Sequence, residues 1–262
     1  MLKFSANLSM LFTERPLIDR FAAASAAGFT AVEIQFPYDL SIEFIRTELE
    51  RHHLVLALIN VPAGDLLKGG DGLACVPGRE NSFRHAVMDA LRYADALQVP
   101  TVNVLAGRVP EGENLIRCLH TLSMNLRYAA ETFQSAGITT VTEAVNTFDM
   151  PRFMLHSVAQ MQEMRERVDH PMLKMQFDCY HMERMGENIE QCLRENISAI
   201  GHIQFADAPG RHEPGNGTMN YPHIFQLLRE LSYQGWVGAE YHPSTTTEKT
   251  LAWLKAATED HS

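Results

Sequence analysis

At 262 residues, 45% hydrophobic and 21% charged, the chain holds ample apolar material for a folded core, which excludes disorder over most of its length. Its 22 Lys and Arg stand against 32 Asp and Glu, a formal charge of −10. Such a surface repels phosphate backbones, so no nucleic acid is expected as a partner.

The first strand is predicted at Lys3–Asn7, followed by a helix whose apolar face holds Leu17, Ile18, Phe21, Ala22 and Ala24. Ala31–Phe36 reads as the second strand, and Ser41 as the N-cap of a helix bearing Ile42, Ile45 and Leu49. Leu54–Asn60 is apolar almost throughout, as expected for a strand buried on both faces of a parallel sheet. Thr101–Ala106 follows, then a long helix marked by Ile116, Leu119, Leu122, Leu126 and Ala129. The remaining strands are predicted at Thr139–Val145, Leu173–Asp178, Ile200–Ala206 and Trp236–Tyr241, with a helix over Ile224–Leu231 before the last. Thr245 and Glu248 read as a capping box for a final helix containing Leu251, Trp253 and Leu254.

Eight strand–helix units in a chain of this length predict an α/β fold, a (β/α)8 TIM barrel forming one domain over 1–262. No linker or low-complexity tract divides the chain, and no G-x-G-x-x-G follows any strand, so a doubly wound dinucleotide-binding sheet is disfavoured. There is no run of about 18 apolar residues, so no membrane partner is expected. The N-terminus lacks the pattern of a signal peptide, and Cys75, Cys118, Cys179 and Cys192 show neither CxxC pairing nor zinc-ribbon spacing. The expectation is a cytoplasmic protein with free thiols; self-association into a homo-oligomer stays open. Alternation along the sixth strand is expected to turn Cys179 away from Asp178, as a packing residue.

In such a barrel the active site lies at the C-terminal ends of the strands. The fifth to eighth strands there carry Glu143, Asp178, Gln204 and Glu240, each about one unit from the next. Three converging carboxylates repel one another unless a cation intervenes, and an all-oxygen set suits Mg2+ or Mn2+ better than zinc. His181 lies three residues beyond Asp178, and Arg211 sits in a Pro- and Gly-rich loop after the seventh strand, suited to gripping a substrate carboxylate. Asn7 and Asn60 end the first and third strands and could line the same mouth.

Several segments together resemble the hydroxypyruvate isomerase family of xylose-isomerase-like TIM barrels, end to end. They are Phe4-Ser5-Ala6-Asn7-Leu8-Ser9-Met10-Leu11-Phe12, Glu143-Ala144-Val145-Asn146-Thr147-Phe148-Asp149-Met150-Pro151, Asp178-Cys179-Tyr180-His181-Met182, Gly215-Asn216-Gly217-Thr218-Met219-Asn220-Tyr221 and Gly235-Trp236-Val237-Gly238-Ala239-Glu240-Tyr241. The resemblance implies metal ligands at Glu143, Asp178, Gln204 and Glu240, with Glu143 and Glu240 also the acid/base pair. The wider superfamily usually has His where this chain, like its subfamily, has Gln204. The implied activity is metal-assisted isomerisation of hydroxypyruvate to tartronate semialdehyde through an enediolate, with His181, Arg211, Asn7 and Asn60 toward a small hydroxy or oxo acid. Close relatives isomerise 2-oxo-tetronates, one carbon longer; Asn146-Thr147-Phe148-Asp149 favours the three-carbon acid. A sugar epimerase and a non-catalytic metal-stabilised binding barrel are the other readings, separated by product stereochemistry and by the effect of glutamate-to-glutamine substitution.

Overall fold

The strands form where consecutive side chains are buried on both faces. The chain is described here from a computed structural model, over residues 1–259. The strands are β1 (Lys3–Asn7), β2 (Ala31–Ile34), β3 (Val55–Asn60), β4 (Thr101–Val104), β5 (Thr139–Glu143), β6 (Leu173–Asp178), β7 (Ile200–Phe205) and β8 (Trp236–Ala239). They pair in chain order, all parallel, and β8 closes on β1. In β3 the run Leu56, Ala57, Leu58 and Ile59 is wholly buried, as its composition requires.

The outer ring is α1 (Leu17–Ala26), α2 (Ile42–His52), α3 (Glu80–Ala96), α4 (Leu115–Gln134), α5 (Val158–Val168), α6 (Cys179–Arg184), α7 (Ile189–Asn196), α8 (Tyr221–Glu230) and α9 (Ala252–Glu259). Each helix lays an apolar stripe on the sheet: Phe21 and Ala24 from α1, Ile45 and Leu49 from α2, Leu122, Leu126 and Phe133 from α4. Ser41 caps α2 as predicted, its Oγ accepting from the Phe44 N–H at 3.2 Å. Phe4, Phe205, Phe225 and Trp253 pack edge to face or tilted at 4.9–6.3 Å, fastening α8 and α9 over β1 and β7. No helix among the described residues is long and apolar enough to cross a membrane.

Three local expectations are corrected. Ile18, Ala22 and Ile116, assigned to apolar faces, are exposed: Ile18 and Ile116 lie in the first turns of their helices, and in α1 the buried face is Phe21, Ala23 and Ala24. The Thr245/Glu248 capping box does not form. Thr246 instead precedes a short 3-10 turn, Thr247–Thr250, whose first residue is held by the N-terminal segment: Glu14 accepts from the Thr247 N–H at 3.1 Å and Thr247 Oγ1 accepts from the Phe12 N–H at 2.6 Å. Cys179 does not continue the alternation of β6; it opens α6 and is buried, where desolvation pushes its thiol well above the usual range. It remains a packing residue, for a different reason.

Inside the barrel the fill is polar. Ser5, Asn7, Glu33, Asn103, Glu143, Gln176, Asp178, His202 and Gln204 are all buried. Register sets Asn7 beside Glu33, Glu143 beside Gln176, and Asp178 beside Gln204. Gly238 on β8 makes room for this layer, because a Cβ there would collide with the Glu33 carboxylate. Gly238→Ala is therefore expected to lower stability by about 1–3 kcal/mol, the usual cost of overpacking. An unchanged urea midpoint for that variant would contradict the placement of Glu33.

Candidate active site

Each acidic side chain reaches the mouth from a strand whose earlier residues are locked by pairing. Glu143 ends β5; its Oε1 accepts from Asn103 Nδ2 at 2.8 Å and its Oε2 from Gln176 Nε2 at 3.1 Å. Asp178 ends β6 and is also the N-cap of α6. Its Oδ1 accepts from the backbone N–H of Tyr180 (2.8 Å) and more loosely of His181 (3.4 Å), which leaves Oδ2 facing the site. Gln204 on β7 donates to Glu33 Oε2 at 2.9 Å and to Glu240 Oε1 at 3.3 Å, while its Oε1 accepts from Gln176 Nε2 at 2.6 Å. Glu240 follows β8 and accepts from Gln35 (2.8 Å), Asn7 (3.0 Å) and Arg211 Nη2 (2.8 Å).

Arg211 is delivered by the loop after β7. The Asp207 carboxylate gathers the backbone N–H groups of Gly215, Gly217 and Met219 at 2.9–3.0 Å, folding the loop back on itself. At the turn Arg211 adopts a left-handed φ of 58°, and its carbonyl accepts from the His242 N–H at 2.8 Å. The guanidinium lies 5.2 Å from the Tyr180 ring centroid and 4.0 Å from Asp178 Oδ2, and its buried Nε has no partner.

His181 is oriented through Asn146. The Asn146 Oδ1 accepts from the N–H groups of Phe148 and Asp149, so its Nδ2 faces His181 Nδ1 at 2.7 Å and Asp149 Oδ2 at 3.0 Å. A ring nitrogen that accepts leaves the proton on Nε2, which lies 3.6 Å from Asp178 Oδ2. Burial and the Arg211 charge hold the imidazole well below its usual pKa, so His181 is neutral. In this tautomer it offers a donor to the mouth. Phe148, two-thirds exposed, lies on the same loop beneath the Arg184 guanidinium, and Asp149 accepts from Tyr180 Oη at 2.8 Å.

The electrostatics are dominated by three buried carboxylates. Desolvation, then Glu240 and Asp178, push Glu143 up to about 8. Desolvation raises Glu240 to about 7 although Arg211 opposes it, and Asp178 is raised by the same burial. One guanidinium does not neutralise this charge. Ligand atoms of Glu143, Asp178 and His181 lie within 4.8 Å of one another, close enough to share a metal ion. Glu240 stands outside that trio, drawn to Arg211. Unpaired negative charge and oxygen donors aimed inward fit a hard divalent cation.

Of the residues expected at the mouth, Glu143, Asp178, Gln204, Glu240, His181, Arg211 and Asn7 fall into one connected network. Asn60 does not join it: it ends β3 opposite Asn103, and it is engaged through its backbone, the N–H donating to the Gln35 carbonyl at 2.9 Å and the carbonyl accepting from Tyr38 Oη. Gln35, Asn103 and Gln176, which orient the carboxylates, are absent from the residues expected from sequence, and Asn146, expected only as part of a segment bearing on substrate length, orients His181. The signal for Gln176 was its position two residues before Asp178, on the same face of the strand.

A family model described as Xylose isomerase-like TIM barrel matches residues 21–257. The hydroxypyruvate isomerase of Escherichia coli strain K12 is 44% identical over 97% of this chain and 98% of that protein. The 2-oxo-tetronate isomerase of Cupriavidus necator is 42% identical, covering 97% of each. Among solved structures, one named as an AP endonuclease, family 2, from Brucella melitensis superposes with a TM-score of 0.95 at 39% identity, over 98% of this chain and 99% of that one. The 3-keto-D-glucoside 4-epimerase of E. coli, at 22% identity and a TM-score of 0.81, shares the fold over 98% of this chain and 100% of its own.

Proposed function

Because the chain belongs to the xylose isomerase-like TIM barrel family, alongside hydroxypyruvate and 2-oxo-tetronate isomerases, we propose that it interconverts hydroxypyruvate and tartronate semialdehyde. The observation that carries this reading is the pair Glu143 and Glu240. They stand on strands three apart around the barrel, so they face each other across the mouth, and both are pushed toward neutrality, where a carboxyl group can take and return a proton.

Glu143, Asp178, Gln204 and Glu240 would hold Mg2+ or Mn2+ with four oxygen donors. When bound, the cation supplies polarisation of the substrate's carbonyl and hydroxyl oxygens, which acidifies the C–H between them. Arg211 has N–H groups to spare beyond its contact with Glu240 and takes the substrate carboxylate; His181 donates from Nε2 to a substrate oxygen. One glutamate removes a proton from C3, the C3–H electrons form the C2–C3 double bond and the C2 carbonyl electrons move onto O2 to give an enediolate. The other glutamate gives a proton to C2 while the C3 hydroxyl proton passes to O2, so that the carbonyl re-forms at C3 and the alcohol at C2. The buried walls restrict access of water to the enediolate. Nucleic-acid cleavage, the chemistry in the name of the Brucella neighbour, is disfavoured by the charge of −10 and an acidic mouth.

The 2-oxo-tetronate reading keeps every one of these roles and differs by one carbon of substrate; it is favoured by the 42% identity to the C. necator enzyme. The reaction is tested by incubation with hydroxypyruvate in D2O, followed by NMR. Tartronate semialdehyde with deuterium on C2 is expected from proton transfer. Unlabelled product would point instead to a hydride shift, and no product at all would remove hydroxypyruvate as substrate.

A further inference from the structure

Beneath the three carboxylates of the mouth lies a further, fully buried one, Glu33 on β2. Its two oxygens meet four hydrogen-bond donors. Oε1 accepts from Ser5 Oγ at 2.6 Å and His202 Nε2 at 2.8 Å; Oε2 accepts from Gln204 Nε2 at 2.9 Å and Asn7 Nδ2 at 3.3 Å. A group ringed by donors on both oxygens is an acceptor only, that is, a carboxylate. His202, whose Nε2 faces this anion, carries its proton there. Glu33 reaches the centre of the barrel because residue 238 has no side chain.

The two amides it holds continue to the mouth. Asn7 and Gln204 each use the same nitrogen to touch Glu240 Oε1, at 3.0 and 3.3 Å. An amide is nearly symmetric in shape, so packing alone does not decide which end faces which way. The Glu33 anion does decide, because it accepts from an NH2 group and repels a carbonyl. With its nitrogen fixed on Glu33 and Glu240, Gln204 must turn Oε1 to the side of Gln176 and Glu143.

We infer that Glu33 is a positioning residue for the cation: through hydrogen bonds it holds Gln204 with its carbonyl oxygen toward the ligand set and Asn7 with its amide toward Glu240. A carboxylate ligand would need no such device, since both its ends are oxygens. A glutamine at a ligand position does, and this is why a buried anion is kept where an apolar side chain would otherwise fill the barrel. The inference rests on the metal site proposed above, and its test does not depend on the substrate.

The experiment is titration of the metal-free chain with Mn2+, read by the loss of the free-ion EPR signal, for wild type, Glu33→Gln, Gln204→Glu and the double variant, with circular dichroism as the control for folding. Glu33→Gln supplies an NH2 that competes for the position of the Gln204 amide, and is expected to weaken Mn2+ binding about 10- to 100-fold. In the Gln204→Glu background, where the ligand has no orientation to lose, the same substitution is expected to leave Mn2+ binding unweakened. Equal losses in both backgrounds would mean a merely structural effect and overturn the inference, as would wild-type affinity in Glu33→Gln. If Glu33→Gln does not fold, Glu33→Asp, which keeps the charge but shortens its reach, is expected to weaken Mn2+ binding, and wild-type affinity in that variant is equally contrary. A wild-type chain that takes up no Mn2+ overturns the metal site and the role of Glu33 together, whereas a wild type that binds Mn2+ but leaves hydroxypyruvate untouched overturns the substrate reading alone.

Discussion

Replacing either Glu143 or Glu240 by glutamine is expected to lower kcat by about 10²–10⁴-fold, the usual contribution of a positioned general acid or base. The fold is expected to survive. Glutamine matches glutamate in volume, and the change removes a charge whose burial is unfavourable. At position 143 the loss is mainly one of acceptors: Glu143 takes hydrogen bonds from both Asn103 and Gln176, and an amide can accept from only one side. That costs about 1 kcal/mol, offset by relief from repulsion with Glu240 and Asp178. At position 240 the ion pair with Arg211 disappears, leaving the guanidinium near Asp178 and Tyr180. Steady-state kinetics with thermal unfolding on the same samples check both halves. Full activity in either variant would remove that glutamate from proton transfer. A binding module, by contrast, has no turnover to lose.

The second large effect concerns pH and the cation together. In the metal-free chain Glu143 sits at about 8 and Glu240 at about 7, above their unfolded values of about 4.3. The native state therefore holds protons that the unfolded chain has released, and unfolding stability falls as pH rises through this window. His181 acts with the opposite sign. Its folded pKa is depressed, so it favours stability as pH rises, but only up to its unfolded value of about 6.5. Between about pH 6.5 and 8 the glutamates stand alone, and the melting temperature of chelated protein is expected to fall, by an amount equivalent to about 1–3 kcal/mol. Mg2+ or Mn2+ is expected to reverse the trend, raising the melting temperature most at pH 8, because binding needs the carboxylates ionised. A melting temperature that climbs over this interval without metal would contradict the burial of uncompensated carboxylates in the mouth.

The barrel was legible because its strands are written in apolar runs and punctuated by helices of ordinary amphipathic period. β1 and β6 match their expected bounds, and β3 starts one residue late and ends at Asn60 as expected. The other five strands end one or two residues short at the C-terminal end, where residues that read as strand become the loops of the mouth. The carboxylates and Gln204 were legible because each closes an apolar strand. Less legible was the layer beneath them. His202 and Gln176 lie two residues before Gln204 and Asp178, so alternation places them on the same interior face. Glu33 stands alone in Ala31-Val32-Glu33-Ile34, and a carboxylate in so apolar a strand is itself a signal of a buried partner. What no pattern carried is the conformation of the loops. The contact of Arg211 with Glu240 depends on Asp207 gathering three N–H groups and on one left-handed turn, and the tautomer of His181 depends on Asn146, thirty-five residues away in sequence.

The most direct measurement is kcat/KM for hydroxypyruvate and for a 2-oxo-tetronate, each after chelation and again with Mg2+ or Mn2+ restored. A preference for hydroxypyruvate that vanishes on chelation and returns with the cation is the predicted result. Turnover unchanged by chelation would contradict the metal-assisted site, and activity on neither acid would contradict the isomerase reading itself.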